Sequence, residues 1–290
     1  MRTCIFGTIY SESKLPLLRR IFSKLADIGA EVFIEQELRN LLAEQFGFRA
    51  DAQELGSEDV PCLDMAVSVG GDGAFLRTAA RINKHGVPIL GINAGRLGFL
   101  ADTSGDELED TLNEIADKRY TVEDRSLLRI YEGCEFVKGY NFALNEVAIL
   151  KRDTSSMLSI HASIDNDFLA TYMADGLIIA TPTGSTAYSL SVNGPIIVPQ
   201  SASLVISPVA PHSLNVRPLV IPDGSLISLV IESRSEFFLV ALDGRSEVVP
   251  AGSRLTVGKA DYRVKVVKRY GQTFYSTLRD KLMWGADARY

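Results

Sequence analysis

Over the first 120 residues, short apolar runs alternate with segments of helical spacing. Thr3 to Phe6 reads as a strand. In the stretch Lys14 to Ile28, Leu17, Leu18, Ile21, Phe22 and Leu25 recur every three or four positions, and Gly29 stands where a C-cap belongs. Glu31 to Ile34 reads as a second strand and Glu37 to Phe46 as a second helix. After a polar loop at Asp51 to Asp59, Met65 to Val69 is apolar except for Ser68, the pattern of a strand buried on both faces. A helix is predicted from Ala74 and a fourth strand from Pro88 to Ile92. Another helix is predicted from Asp106 to Lys118, with Leu108, Leu112 and Ile115 on one face and Thr103 or Ser104 as its cap. This alternation predicts parallel βαβ units, and an open parallel sheet binds ligands at the carboxyl ends of its strands. The glycine turns after Val69 and Ile92 fall at that edge.

Near Tyr120 the pattern changes to short strands about every ten residues. They are predicted at Met157 to Ile164, Phe168 to Met173, Leu226 to Ile231, Phe237 to Leu242 and Tyr262 to Val267. Turns at Asp165-Asn166-Asp167, Pro222-Asp223-Gly224 and Asp243-Gly244 separate them. Thr273 to Trp284 returns to helical spacing with Phe274, Leu278 and Leu282. The predicted fold is therefore α/β plus all-β: an open parallel α/β sheet domain at 1–120 and a β-sandwich-like domain at 121–270. The C-terminal helix, about 271–290, packs back on the first.

Composition narrows the function. The 290 residues are 46% hydrophobic and 23% charged, ordinary for a soluble globular enzyme. The net charge of −6 argues against a nucleic-acid partner, so a phosphate ligand must be held by local arginines, backbone amides and metal. Cys4, Cys62 and Cys134 show no CxxC or Cys/His spacing, which predicts free thiols in a reducing compartment and no zinc site. MRTCIFGTIY lacks the apolar run of a signal peptide, and no stretch of about 18 apolar residues occurs. The expectation is a cytoplasmic protein with no membrane partner.

The candidate chemistry gathers in turns. Gly70, Gly71 and Gly73 surround Asp72 between a strand and a helix start, an arrangement that offers N–H groups to phosphate. A carboxylate there repels phosphate unless a metal intervenes or it accepts a proton; a surface turn in which Asp72 caps the helix fits the same residues. Gly91-Ile92-Asn93-Ala94-Gly95-Arg96-Leu97-Gly98-Phe99 follows a strand and fits a phosphate or sugar pocket, and tight loop packing explains its glycines almost as well. Asn145-Glu146 interrupts the apolar run FALNEVAIL; the pair suits a nucleoside, and a β-bulge at a strand end is the plainer account. Asp175-Gly176 precedes the strand LIIAT, and Thr181-Pro-Thr-Gly-Ser-Thr-Ala-Tyr-Ser-Leu-Ser191 follows it. That loop crowds hydroxyls around one glycine and offers the Tyr188 ring for stacking; a hydroxyl-rich helix start is its plainer reading. There is no GxxxxGK[ST], no third glycine of a dinucleotide fingerprint, and no GxSxG around Ser185. His161 reads as structural.

Taken in order, GGDG at 70–73, Asn93-x-Gly95-x-Leu97-Gly98-Phe99, Asn145-Glu146, and Asp175-Gly176 through TPTGSTAYSLS resemble the NAD kinase family from about Met65 onward. GGDG alone is shared with diacylglycerol and sphingosine kinases and with phosphofructokinases, whereas the lipid kinases lack TPTGSTAYSLS. The resemblance implies transfer of a γ-phosphate from ATP, or phosphate from polyphosphate, to the 2′-hydroxyl of the adenosine ribose of NAD. It further implies a divalent metal, Mg²⁺, an active site between the two domains, and a homodimer or homotetramer. Carried over by motif, Asp72 is the proton acceptor, with Gly73, Arg77, Asn145, Glu146, Asp175 and Thr186, Ala187, Tyr188, Ser189, Leu190 and Ser191 contacting NAD. Ser156 and Arg245 fall near ligand by position. Gly70, Gly71, Gly73, Asn93, Gly95 and Arg96 are the candidates for the phosphate donor. Metal ligands are not assignable. A lipid kinase and a non-catalytic dinucleotide sensor are the competing readings.

Overall fold

The computed structural model describes residues 1–8, 11–95, 97–153 and 157–286. They form two compact units, Met1–Asp124 with Val264–Tyr290, and Arg125–Arg263. The first begins as the sequence predicts. Its elements are β1 (Arg2–Gly7), α1 (Leu15–Asp27), β2 (Glu31–Ile34), α2 (Gln36–Phe46), β3 (Gln53–Glu54), β4 (Met65–Gly70), α3 (Asp72–Ile82), β5 (Ile89–Asn93) and α4 (Leu108–Ala116). The strands lie in the order β3-β2-β1-β4-β5, every neighbour parallel. The order reverses between β1 and β4, so the glycine turn that ends β4 stands at a topological switch point, where doubly wound sheets bind ligands.

The amphipathic pattern explains this core. Leu18, Ile21 and Leu25 of α1 are fully buried, and Leu17 and Phe22 pack at its margin. Gly29 (φ +70) follows the last residues of α1, a backbone value that favours glycine. Ser104, rather than Thr103, caps the segment before α4, through a reciprocal bond pattern with Glu107. The helix predicted from Ala74 begins two residues earlier, at Asp72, because the Gly71 carbonyl already accepts from the N–H groups of Ala74 and Phe75.

The chain leaves the first unit within β6 (Tyr120–Glu132) and continues through β7 (Phe142–Ala143), β8 (Glu146–Lys151), β9 (Leu158–Ile164), β10 (Asp167–Ala174), β11 (Gly176–Ala180), the single turn α5 (Tyr188–Ser191), β12 (Ser203–Val209), β13 (Leu219–Pro222), β14 (Ile227–Ser233), β15 (Phe237–Leu242) and β16 (Arg245–Pro250). It returns within β17 (Arg254–Arg269) to α6 (Phe274–Leu282). In the second unit β13-β12-β11-β8-β15-β16 form one antiparallel sheet. β10-β9-β14 and the first residues of β17 form another. Val147, Ile149, Leu177 and Ile179 of the one share a fully buried core with Leu158, Ile160, Leu229 and Leu255 of the other, so the sandwich is real. In the first unit Val266 of β17 pairs in parallel with Ile89 of β5.

Candidate functional site

In the first unit, chemistry collects around one carboxylate. Gly70 has φ +147, and a Cβ there would stand 2.7 Å from that of Ala74, so this turn requires glycine. Gly71 and Gly73, by contrast, are exposed and uncrowded. Nothing in the packing of the chain demands glycine at either, and the backbone there is approachable. Asp72 between them does not cap α3. Its side chain turns to the loop after β5, where Oδ2 accepts from the Phe99 N–H at 3.0 Å and Oδ1 from the N–H groups of Leu100 and Ala101 at 2.9 and 3.1 Å. The Lys281 ammonium, on α6, lies 3.5 Å from Oδ2.

Two glycines make this embrace possible. A Cβ on Gly91 would come within 2.5 Å of the Leu100 carbonyl, and one on Gly98 within 2.0 Å of Asp72 Oδ1. Tight packing therefore accounts for both, and its purpose is to bring consecutive amides onto a carboxylate. A buried ion pair between Lys268 and Asp102 anchors the far end of the loop, and Gln272 donates to the Asp102 carbonyl. The two glycine turns meet as expected, Ala94 N–H donating to the Gly70 carbonyl. Asn93, however, is buried and accepts from the Gly95 N–H, a local turn bond. Arg77 is exposed and donates to the Thr8 hydroxyl across the β1–β4 switch. A cavity of about 540 Å³ opens beside the loop, where Glu107 and Asp280 line it together with Arg269, a mixture that singles out no anion. Arg96 and Ser156 lie outside the described residues.

The second unit holds a counterpart built the other way round. Asp243, in a turn with φ +48, accepts from the N–H groups of Leu144, Asn145 and Glu146 at 2.7, 2.8 and 3.2 Å. Here the acid is the scaffold and the two residues singled out by sequence are what it shapes. Asn145 and Glu146 are each 8% exposed. The hydroxyl loop closes over them: Thr181 N–H donates to the Asn145 carbonyl, and Thr181 Oγ1 to that of Leu144. A Cβ on Gly184 would fall 2.0 Å from the Asn145 carbonyl oxygen. The Tyr188 backbone reaches the Glu146 carboxyl, whose Oε2 is buried without a partner.

Burial, with the Asp243 charge second, pushes the Glu146 carboxyl up to about 8. Burial raises Asp243 as well, but its three amide donors oppose that. Burial thus favours the neutral form of Glu146 at pH 7, a buried acid able to donate. A consequence follows for stability. Unfolded, Glu146 loses its proton near the ordinary 4.5; folded, it keeps it to about 8. Between those values unfolding releases a proton, so this group lowers stability as pH rises, by up to about 1.4 kcal/mol per pH unit. Glu146→Gln is expected to flatten the fall of Tm from pH 5 to pH 8; parallel curves for the two proteins would reject a neutral Glu146.

Not every predicted residue joins these clusters. Of the hydroxyl-rich loop, Thr181, Ser185 and Ser189 are buried and spend their hydroxyls inside the fold, Ser185 on the Pro182 carbonyl and Ser189 on Ser207. Tyr188 and Ser191 are exposed, with Thr186, Ala187 and Leu190 between. Asp175 pairs with Lys151 at 2.7 Å at the opposite end of β11 from Ala180, the residue opposite Glu146. Five residues of strand separate them, roughly 17 Å, so Asp175 does not meet Glu146. Arg245 stacks on Tyr140, with its guanidinium carbon 3.6 Å from the ring centre, and donates to the carbonyls of Tyr140 and Phe142. It thereby braces the segment leading into Asn145. His161 bonds Thr171 within the sheet, as a structural residue does. Asp243 and Lys281 carry no motif; the first stood out in the sequence only as a turn residue.

Comparison with known proteins agrees with this layout. Residues 4–120 match the model of the ATP-NAD kinase N-terminal domain, and residues 144–269 that of the ATP-NAD kinase C-terminal domain. An NAD kinase of Bacteroides fragilis is 52% identical over 289 residues, covering 100% of both chains. One from Flavobacterium johnsoniae is 43% identical over 295 residues, again covering 100% of both. Among solved structures, yeast NADH kinase complexed with NADH superposes with a TM-score of 0.87 at 22% identity, over 99% of this chain and 89% of that one, a likeness of fold. An Archaeoglobus fulgidus NAD kinase in complex with ATP gives 0.78 at 26% identity, over 98% and 99% of the two chains. Matched by both domain models and by full-length relatives well above the level of chance likeness, the chain is a member of the NAD kinase family of enzymes.

Proposed function

We propose that this chain transfers the γ-phosphoryl group of ATP to the 2′-hydroxyl of the adenosine ribose of NAD, yielding NADP, with Asp72 accepting the hydroxyl proton. The observation that carries the reading is Asp72 itself. Its carboxylate is oriented by three loop amides, only partly buried, and flanked by two exposed glycines that the packing does not require. Orientation without full burial is what a proton acceptor needs. The relatives' names support NAD as acceptor, and the Archaeoglobus complex supports ATP as donor.

In this reading Asn145 and Glu146 hold the adenosine end of NAD, with Glu146 donating from its neutral carboxyl and its unpartnered Oε2 finding a ribose hydroxyl. Tyr188, Ser191 and Thr186 supply the exposed face of the loop beside them. The amides around Gly71 and Gly73 receive donor phosphate, with Arg77 one turn further along α3. Among the described residues no three His, Cys, Asp or Glu side chains converge to hold a metal ion. Magnesium in this proposal arrives on the donor's phosphates, its usual mode. We further expect a homodimer or homotetramer in the cytoplasm. Among the described residues no helix is long and apolar enough to cross a membrane.

The direct test incubates purified protein with NAD, ATP and Mg²⁺ and reads NADP with an NADP-specific dehydrogenase. Steady NADP formation is expected. NAD binding with no turnover would make the protein a sensor, and phosphorylation of a lipid in place of NAD would make it a lipid kinase; either overturns the proposal. Repeating the assay with polyphosphate and with NADH ranks the donors and acceptors.

A further inference from the structure

Asp72 has four acceptor positions, two on each oxygen. Leu100 and Ala101 amides fill those of Oδ1, and Phe99 amide takes one on Oδ2. These donors are backbone, in a loop pinned by the approach of Gly91 and Gly98 and by the Lys268–Asp102 pair. They cannot step aside. The remaining position on Oδ2 belongs to Lys281, and that contact is of another kind. At 3.5 Å it is longer than the ~2.8 Å of a charge-assisted hydrogen bond, and it comes from the end of a flexible four-carbon stem. The ammonium lies 4.9 Å from the centre of the Phe99 ring and is 29% exposed. Phe99 in turn packs on Phe274, so α6 carries both the ion and part of the platform beneath it.

We propose that Lys281 is the charge-compensating catalytic residue of the transfer. In the resting enzyme it occupies the free acceptor position of Asp72; when substrates arrive it yields that position to the ribose hydroxyl and moves its ammonium onto the oxygens of the phosphoryl group in flight. The proposal rests on Asp72 as proton acceptor. A hydroxyl bonded to Oδ2 at about 3 Å and aimed at a phosphorus about 3–3.5 Å further on brings phosphoryl oxygens within roughly 6 Å of Oδ2. Rotation of the lysine stem covers that distance. In the step, the ribose oxygen forms its bond to the γ-phosphorus and the bond from phosphorus to the β,γ-bridging oxygen breaks. ADP departs with that electron pair, and the hydroxyl proton passes to Asp72. The negative charge spread over the phosphoryl oxygens at that moment meets the ammonium, which no longer has Asp72 as its neighbour of opposite charge once the carboxylate is protonated. A chain with no GxxxxGK loop obtains its phosphate lysine from α6 instead.

The test compares Lys281→Gln, which keeps a hydrogen-bonding stem without charge, with Lys281→Arg, which keeps the charge, using Asp72→Asn as reference. The expected result is a loss of about 10²–10³-fold in kcat for Lys281→Gln, with KM for NAD changed less than about threefold, and recovery to within about tenfold of the wild type in Lys281→Arg. A Lys281→Gln protein with wild-type kcat overturns the proposal. So does an equal loss in both variants, the mark of a packing role for the side chain. If Asp72→Asn keeps its turnover, the proton-acceptor reading itself has failed; if it loses turnover while Lys281→Gln does not, only the role of Lys281 has failed.

Discussion

Asp72→Asn is expected to lower kcat for NADP formation by about 10²–10⁴-fold while NAD binding stays near the wild-type value. The geometry explains why the loss should sit in kcat. A carboxamide retains one oxygen, which can keep the Leu100 and Ala101 amides, so the loop after β5 holds its place. The NH₂ group then stands where Oδ2 accepted from Phe99 and Lys281, donor against donor, at a cost of about 1–3 kcal/mol to the fold. Tm should register that cost. It is too small to unfold an ordinary domain and leaves the residues of the second unit proposed to contact NAD untouched. What disappears is the carboxylate proposed to accept the hydroxyl proton. A variant with near-normal turnover, or one whose loss appears wholly in KM for NAD, contradicts the assignment.

Asp243→Ala is expected to weaken NAD binding by at least about 10²-fold and to lower Tm. The substitution strips acceptors from three successive N–H groups at Leu144, Asn145 and Glu146. Leaving such donors unpaired costs about 1–3 kcal/mol each where water cannot reach them, enough in sum for the segment to rearrange. Asn145 and Glu146 then lose the backbone posture on which their side chains depend, and the Thr181 and Gly184 contacts to the same segment lose their footing. Asp243→Asn keeps one oxygen for two of the three donors and should fall between. Calorimetric titration with NAD and thermal unfolding check both. Unchanged affinity in Asp243→Ala would show that the segment needs no such brace.

The parts of this molecule that were legible in the sequence are those whose cause is local. Met65 to Val69 followed by GGDG carries strand, turn and helix start within a few residues, and the helical spacing of α1 and α4 needs no partner to be seen. The strands β12, β13 and β16 escaped because SLVISPV, LVIP and RSEVVP lack alternation or contain proline, and β17 was read only at Tyr262 to Val267 because Gly258 and Lys259 interrupt its pattern. They became strands through pairing with distant neighbours. The sites divide in the same way. Asn145-Glu146 stood out as polar residues in an apolar run, but the acid that shapes them lies 97 residues and more along the chain. Asp72 stood out among its glycines, yet its partners are 27 to 29 residues away, and Lys281 is 209 away. The wealth of hydroxyls in TPTGSTAYSLS misled in part, since composition cannot tell a hydroxyl aimed at ligand from that of Ser185, which ties the loop to Ile197, or of Ser189, which holds it to Ser207 of β12.

A crystal structure of the Asp72→Asn protein with NAD and a non-hydrolysable ATP analogue would decide the matter at the atoms concerned. The 2′-oxygen of the adenosine ribose should lie about 3 Å from the side chain at position 72, in line with the γ-phosphorus of the analogue. A ribose turned so that this oxygen lies beyond one intervening water from position 72, or so that a different hydroxyl faces the phosphorus, would refute it.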